Sequence, residues 1–205
     1  MVGGAQDDEP LADAAAGAGQ ALEIYRPATL DAGDPLLFHD ASASDRLVAH
    51  LTQVIEAEGP VTEGNLFRKV AQAWGLERTG ARAVERLRTL VPDRMVRTIE
   101  EEQLFYWPAQ ADITSWERLR VADAGDASSR RRIDEVCLEE ISALAHHVLS
   151  QAGASSRQDV AHSVCRLLGM SRIPAQAQGR TDEALDRLIA LEIVVDIEGQ
   201  VRLAE

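Results

Sequence analysis

The chain carries its own pattern twice. The stretch EGPVTEGNLFRKVAQAWGLERTG (Glu58–Gly80) returns in outline as AGASSRQDVAHSVCRLLGMSR (Ala152–Arg172). Gly59 and Gly153, Gly75 and Gly169, and Arg78 and Arg172 are each 94 residues apart. Leu87 and Leu185, Leu90 and Leu188, Met95 and Ile193, and Ile99 and Ile197 are each 98 apart. Four residues, about one helical turn, therefore enter the second copy within IPAQAQGR. Whatever one copy of about 65 residues forms, the other must form too, and each must enclose an apolar centre of its own. The competing explanation is chance likeness between two amphipathic three-helix segments.

Each copy reads as helix, helix, helix, hairpin. In the first, Ser44 is placed to cap a helix carrying Leu47, Val48, Leu51, Val54 and Ile55 at helical spacing. Gly59-Pro60 stops it. Thr62 caps a second helix with Leu66, Phe67, Val70, Ala71 and Trp74 on one face, and Gly75 ends it. Thr79 caps a third, with Val84, Leu87, Leu90 and Val91 inward. Met95–Ile99 and Leu104–Trp107 then flank an acidic connection, as a hairpin does. The second copy repeats the order, with Ser155 or Ser156 as the second cap and Glu198-Gly199 at the last turn. The expected fold is mainly α with small β-hairpins, an α+β class built from tandem winged-helix (helix-turn-helix) repeats.

The expected boundaries follow. Residues 1–24 form a disordered acidic tail, rich in Gly, Ala and acid with no apolar period. Residues 25–107 hold an extended arm plus the first unit, with Tyr25, Leu30, Leu36, Leu37 and Phe38 as docking anchors. Residues 108–136 supply a strand, within DITSWERLRVAD, that returns over the first unit, and then a polar linker. Residues 137–205 make the second unit.

Charge bounds the function. The 205 residues carry a net charge of -13, which argues against a general nucleic-acid binder. Eight acids and one base lie in residues 1–43, however, so that segment alone holds -7 and the rest -6. Between Gly59 and Glu100 eight bases face five acids, a local net of +3. Cys137 and Cys165 stand alone, as buried thiols in a reducing cytoplasm do. No run of 18 apolar residues spans a membrane and no signal pattern opens the chain, so a cytoplasmic protein is expected.

EGPVTEGNLFRKVAQAWGLERTGARAVERL, the hairpin ending LFYWP, LRVAD with RRIDEVCLEEISAL, and RQDVAHSVCRLLGMSR together resemble one uncharacterised bacterial family. It is the domain of unknown function at the C-terminal end of large superfamily 1 helicase-like proteins that also carry a restriction-endonuclease-like domain. The resemblance covers roughly residues 25 to 203. It implies a bacterial DNA-processing or defence context and a helicase- or nuclease-like protein partner. No helicase or nuclease domain precedes it here, so a chain starting at Met1 is expected to be a free-standing relative or a piece of a split gene.

For chemistry, the third helix of the first copy is the place to look, since winged helices insert it in the major groove. Arg78, Arg82 and Arg86 lie on or just before it, and Arg94 and Arg97 flank or enter the wing. Arg82 and Arg86 are four apart and share a face. These five are the nucleic-acid-binding candidates, making a weak, salt-sensitive contact through Arg forks. The alternative is a solvated face with Glu85 pairing locally to Arg82 or Arg88. Arg172, Arg180 and Arg187 of the second copy are crowded by Asp182, Glu183 and Asp186, and suit a protein contact or a structural role. Arg130, Arg131 and Arg132 read as a solvated linker or a nucleic-acid tether. His162 and Cys165 share a helix face but lack a second ligand pair, so no metal is expected. Trp74, Trp107 and Trp116 sit where core residues sit rather than as base-stacking platforms. There is no Ser/His/Asp set and no phosphate loop, so no catalytic residue and no cofactor are expected. The expected role is a non-catalytic module with DNA contact through the first unit. The rival role is an acidic protein-interaction subunit that does not bind DNA.

Overall fold

A computed structural model describes residues 21–114, 116 and 118–204. Its first helix, α1, spans Ser44–Glu58 and buries Leu47, Leu51, Val54 and Ile55, the stripe its spacing predicts. Ser44 is not its cap: Ala43 holds that position, and the Ser44 hydroxyl accepts from Arg86 instead (3.2 Å). The helix stops where a side chain no longer fits. A Cβ on Gly59 would lie 2.5 Å from the Ile55 carbonyl oxygen and 2.7 Å from Pro108.

A short strand, β2 (Val61–Thr62), leads into α2 (Glu63–Ala73). The Thr62 hydroxyl accepts from the Asn65 amide (3.2 Å), the expected N-cap. At the other end Gly75 takes φ +74°, and the amides of Gly75 and Leu76 return to Gln72 and Ala71. That left-handed closure is why a glycine recurs there. Helix α3 (Ala81–Leu90) follows, capped by Gly80 with no side-chain bond, so Thr79 is not its cap. Strands β3 (Val96–Glu100) and β4 (Gln103–Trp107) form an antiparallel hairpin, and β2 adds to it in the order β2-β4-β3. Phe38, Leu47, Phe67, Trp74, Leu87 and Tyr106 belong to the core these elements share.

The order then recurs with measurable fidelity. Helix α4 (Leu138–Ala152) matches α1 in its 15 residues, and α5 (Arg157–Leu167) matches α2 in its 11. Strand β6 (Ser155–Ser156) precedes α5, whose Ser156 cap accepts from the Asp159 amide. Helix α6 (Ala175–Ala190) has 16 residues where α3 has 10: the four-residue insertion lies within helix, and α6 runs two residues further at its end. Strands β7 (Val194–Ile197) and β8 (Gln200–Leu203) close a sheet ordered β6-β8-β7. A second apolar cluster, centred on Ile141, Leu144, Val160, Leu168 and Leu185, fills this half.

Two strand features help to tie the halves. Leu22–Ile24 (β1) pairs in parallel with Leu119–Val121 (β5). Residues 22–24 are thus ordered, against the disordered tail expected for 1–24; residues 1–20 lie outside the described residues. Strand β5 pairs with β1 and sends Leu119 and Val121 into the second core, rather than returning over the first unit. Of the arm's anchors, Tyr25 and Phe38 are buried and Leu30 packs on the first core, whereas Leu36 and Leu37 are exposed.

The second feature is the first hairpin. Side chains alternate along a strand. Tyr106 therefore faces the first core, while Phe105 and Trp107 face the other way onto Cys137, just before α4. At the hairpin's end the Glu100 carboxylate accepts the Leu138 amide (2.8 Å) and Arg180 Nη2 of α6 (2.8 Å). Cys137 gives α4 no side-chain cap, so the hairpin supplies the acceptor. No helix among the described residues is long and apolar enough to cross a membrane.

Candidate nucleic-acid interface

The five candidate arginines separate into distinct environments. Arg78 and Arg82 are exposed, before and on the first turn of α3, and Arg94 is exposed in the turn before β3. Among the described residues none of the three has an ion-pair partner. Arg97 is exposed on β3, with its guanidinium 5.6 Å from the Tyr106 ring centre and 3.9 Å from Asp93. Arg86 is spent internally. Its Nη2 donates to the Asp40 carbonyl oxygen (2.5 Å) and to Ser44, pinning the start of α1 to α3. Arg82 and Arg86 do share a field: partial burial, then these two cations, lower the pKa of nearby His39.

The neighbouring charges differ from the expected local pairing. Arg88 donates through Nε (3.0 Å) and Nη2 to Glu63 of α2, and not to Glu85. This pair, ahead of the opposing effect of burial, holds the Glu63 carboxyl below its ordinary value. Arg68 and Arg78 line a groove between α2 and the start of α3.

In the second half three of the cations are consumed, whereas Arg172, the counterpart of Arg78, is exposed without an ion-pair partner among the described residues. Arg180 binds Glu100 and the Val136 carbonyl oxygen, Arg187 binds Glu139 (2.6 Å), and Arg157 binds Asp186 and Asp196. The first hairpin is equally committed on one face, since Phe105, Trp107 and Glu100 all contact the second half. Only its Arg97 side is left open.

Arg130–Arg132 are not a uniform solvated run. Arg132 is exposed and pairs with Asp134 (2.6 Å), and Arg130 is exposed without an ion-pair partner among the described residues. Arg131 is buried. With Arg120 it grips Glu140, which is fully buried. Arg120 donates Nε (2.9 Å) and Nη2 (2.6 Å), and Arg131 donates Nη1 and Nη2 (2.9 Å each). Arg120 Nη1 also reaches the carbonyl oxygens of Glu58 (2.5 Å) and Gly59 (3.0 Å), so the cluster spans both halves. Burial alone would raise the Glu140 pKa, but the two guanidiniums overcome it and hold it at about 2. Next to it, Glu58 accepts from Tyr25, Lys69 and the Ala28 amide. Burial first, then Glu58, pushes the Tyr25 hydroxyl well above its ordinary range.

Sequence reading missed this cluster. Glu58 follows Val54 and Ile55 on their stripe, and Glu140 shares a face with Leu144. An acid continuing an apolar stripe was the available signal.

Trp74 and Trp107 are buried, and Trp116 packs edge-on against Trp107 at 5.1 Å. The His162–Cys165 pair gains no third ligand among the described residues. The one group of three there is Glu100, Cys137 and Glu139. In it Glu100 accepts from Arg180 and Leu138, Glu139 accepts from Arg187, and burial drives the Cys137 thiol well up.

A family model described as a protein of unknown function (DUF3320) matches residues 37–85. No curated protein matches the chain. No solved structure matches it. The stretch from just before α1 into α3 is thus similar to an uncharacterised domain of unknown function.

Proposed function

We propose that the chain is a non-catalytic pair of winged-helix units that contacts nucleic acid through the first. One observation carries this reading: Arg82 on the third helix of the first half is exposed and without an ion-pair partner among the described residues, whereas its counterpart Arg180, 98 residues on, is held by Glu100 and Arg187 on the same helix by Glu139. The element order of helix, strand, helix, helix, hairpin and the sheet order β2-β4-β3 support the winged-helix assignment. Arg94 and Arg97 extend the cationic surface toward the hairpin. Arg86 leaves the contact set because its Nη2 holds Asp40 and Ser44. The resemblance to helicase-associated domains, together with the match at residues 37–85, makes a helicase- or nuclease-like partner in DNA processing or defence part of the proposal. Four arginines make a weak contact. Each phosphate neutralised contributes a slope of about -0.9 in log K against log salt.

The test is anisotropy of labelled duplex and single-stranded DNA at low and then moderate salt. Arg78→Glu with Arg82→Glu should lower affinity and flatten the salt slope by about 2. Equal affinity and slope would remove α3 from the interface.

A second reading, a protein-interaction subunit that does not bind DNA, is favoured by the net charge of -13 and by exposed Leu191, Ile193 and Ile197. Absence of binding to either DNA at low salt would select it.

A further inference from the structure

A separate cationic cleft lies at the seam. It encloses about 170 Å³ between α2 and the segment joining the halves. A water occupies about 30 Å³ in the liquid, so one tetrahedral oxyanion with some of its waters fits. Arg68, Lys69, Arg130 and Arg131 line it against two acids, Glu58 and Glu135, with the Asn65 side chain beside them. The lining is net +2 within a chain of net -13.

Its cations are not equally available. Lys69 is held by Glu58, and Arg131 by Glu140. Arg68 stands 3.8 Å from Glu135, a loose pair, and Arg130 has no ion-pair partner among the described residues. The Arg130 stem is nevertheless fixed. It lies so close to Gly169 that a Cβ there would be 2.8 Å from Arg130 Cγ. The 122–131 segment that carries it is anchored at its ends, since the Arg131 amide donates to Leu168 O (3.0 Å) and the Ala122 amide to Leu167 O (2.8 Å). A free guanidinium on a fixed stem loses little freedom on binding, and its planar fork matches two oxygens of a phosphate.

We infer that this cleft is a phosphate-binding site, with Arg130 and Arg68 as its forks, one from each wall. It is distinct from the α3 surface and does not depend on the reading proposed for that surface. The phosphate belongs either to a nucleic-acid backbone or to a small free phosphate compound. Arg68 also lines the groove that contains Arg78, so the cleft and the start of α3 lie along one path.

The test uses the whole chain and inorganic phosphate. Thermal unfolding is followed as phosphate replaces chloride at constant ionic strength, for the wild type, for Arg68→Gln with Arg130→Gln, and for Arg78→Gln with Arg82→Gln. A phosphate concentration ten times its Kd raises the folded-to-unfolded ratio about 11-fold. The wild type and the α3 variant should show that saturable rise. The cleft variant should melt with the wild type in chloride and show no rise. A rise of equal size in the cleft variant, or none in the wild type, overturns the site. If the cleft variant also loses affinity for a single-stranded oligonucleotide, the phosphate is a backbone's. If it keeps that affinity, or if no form of the protein binds the oligonucleotide, the phosphate is a small compound's.

Discussion

Replacing Glu140 with Gln tests the seam most directly. Glu140 is fully buried and receives four N–H donors from Arg120 and Arg131. Gln keeps the size but brings no charge, and its amide group turns donors toward donors. Two guanidiniums are then left buried with their counter-charge gone. Removing one partner of a buried ion pair costs about 3–5 kcal/mol. The depressed pKa leads to a similar figure: a fall from 4.5 to about 2 corresponds to about 3 kcal/mol. Against a typical domain stability of about 5–15 kcal/mol this is a large fraction. Urea unfolding at neutral pH, followed by far-ultraviolet circular dichroism and tryptophan fluorescence, should show the loss. Trp74, Trp107 and Trp116 are the only tryptophans, so fluorescence reports on the first core and the seam while dichroism reports on both halves. In the variant the two transitions should separate. The pH dependence has a definite sign. A carboxyl with a depressed pKa contributes fully above its unfolded value and loses that contribution as pH falls through the folded one. The gap between wild type and variant should therefore close from about pH 4.5 to about 2. Arg132→Gln, next to the buried Arg131 but exposed, should change nothing measurable. A loss at neutral pH below about 1 kcal/mol, that of an exposed pair, would refute the reasoning.

Other outcomes follow from individual positions. Gly59→Ala forces a methyl against the Ile55 carbonyl and Pro108 and should cost about 1–3 kcal/mol in urea. Gly179→Ala, inside α6 with open space around it, should instead add about 0.5–1 kcal/mol; equal effects at the two glycines would discredit the packing argument. The Trp74 indole N–H donates to His50 Nδ1 (3.1 Å), which requires a lone pair on that nitrogen. Burial and then Arg46 lower the His50 pKa. Stability from the neutral ring is full above about pH 6.5 and declines as pH falls below it. His50→Gln should flatten the stability profile below about pH 6.5; a profile parallel to the wild type's would contradict the assignment.

Much of the local architecture was readable because its causes are local. Helical stripes, Thr62 and Ser156 as caps, and the glycines after α2 and α5 each depend on residues within a turn or two. The four-residue insertion was visible too, because the spacing between matching residues of the two copies changes from 94 to 98. What escaped depends on distant partners. Nothing near Leu22 announces a pairing with Leu119. Arg130, Arg131 and Arg132 are chemically identical in sequence. Only the position of Glu140, set by the start of α4, makes the middle one structural and leaves the first free. Likewise Arg82 and Arg86 share a helix face, and the carbonyl of Asp40 takes one of them out of use.

Strand β4 belongs to two apolar clusters at once, with Tyr106 in the first core and Phe105 and Trp107 in a small cluster with Cys137 at the seam. A strip gripped from both sides works as a dovetail. It removes the swivel that a plain tether between similar units would leave, so α3 and α6 keep a constant gauge. Any molecule touching both must match that spacing as it stands, and a change at the joint alters the reach of the whole tool even where the contacting surfaces are intact.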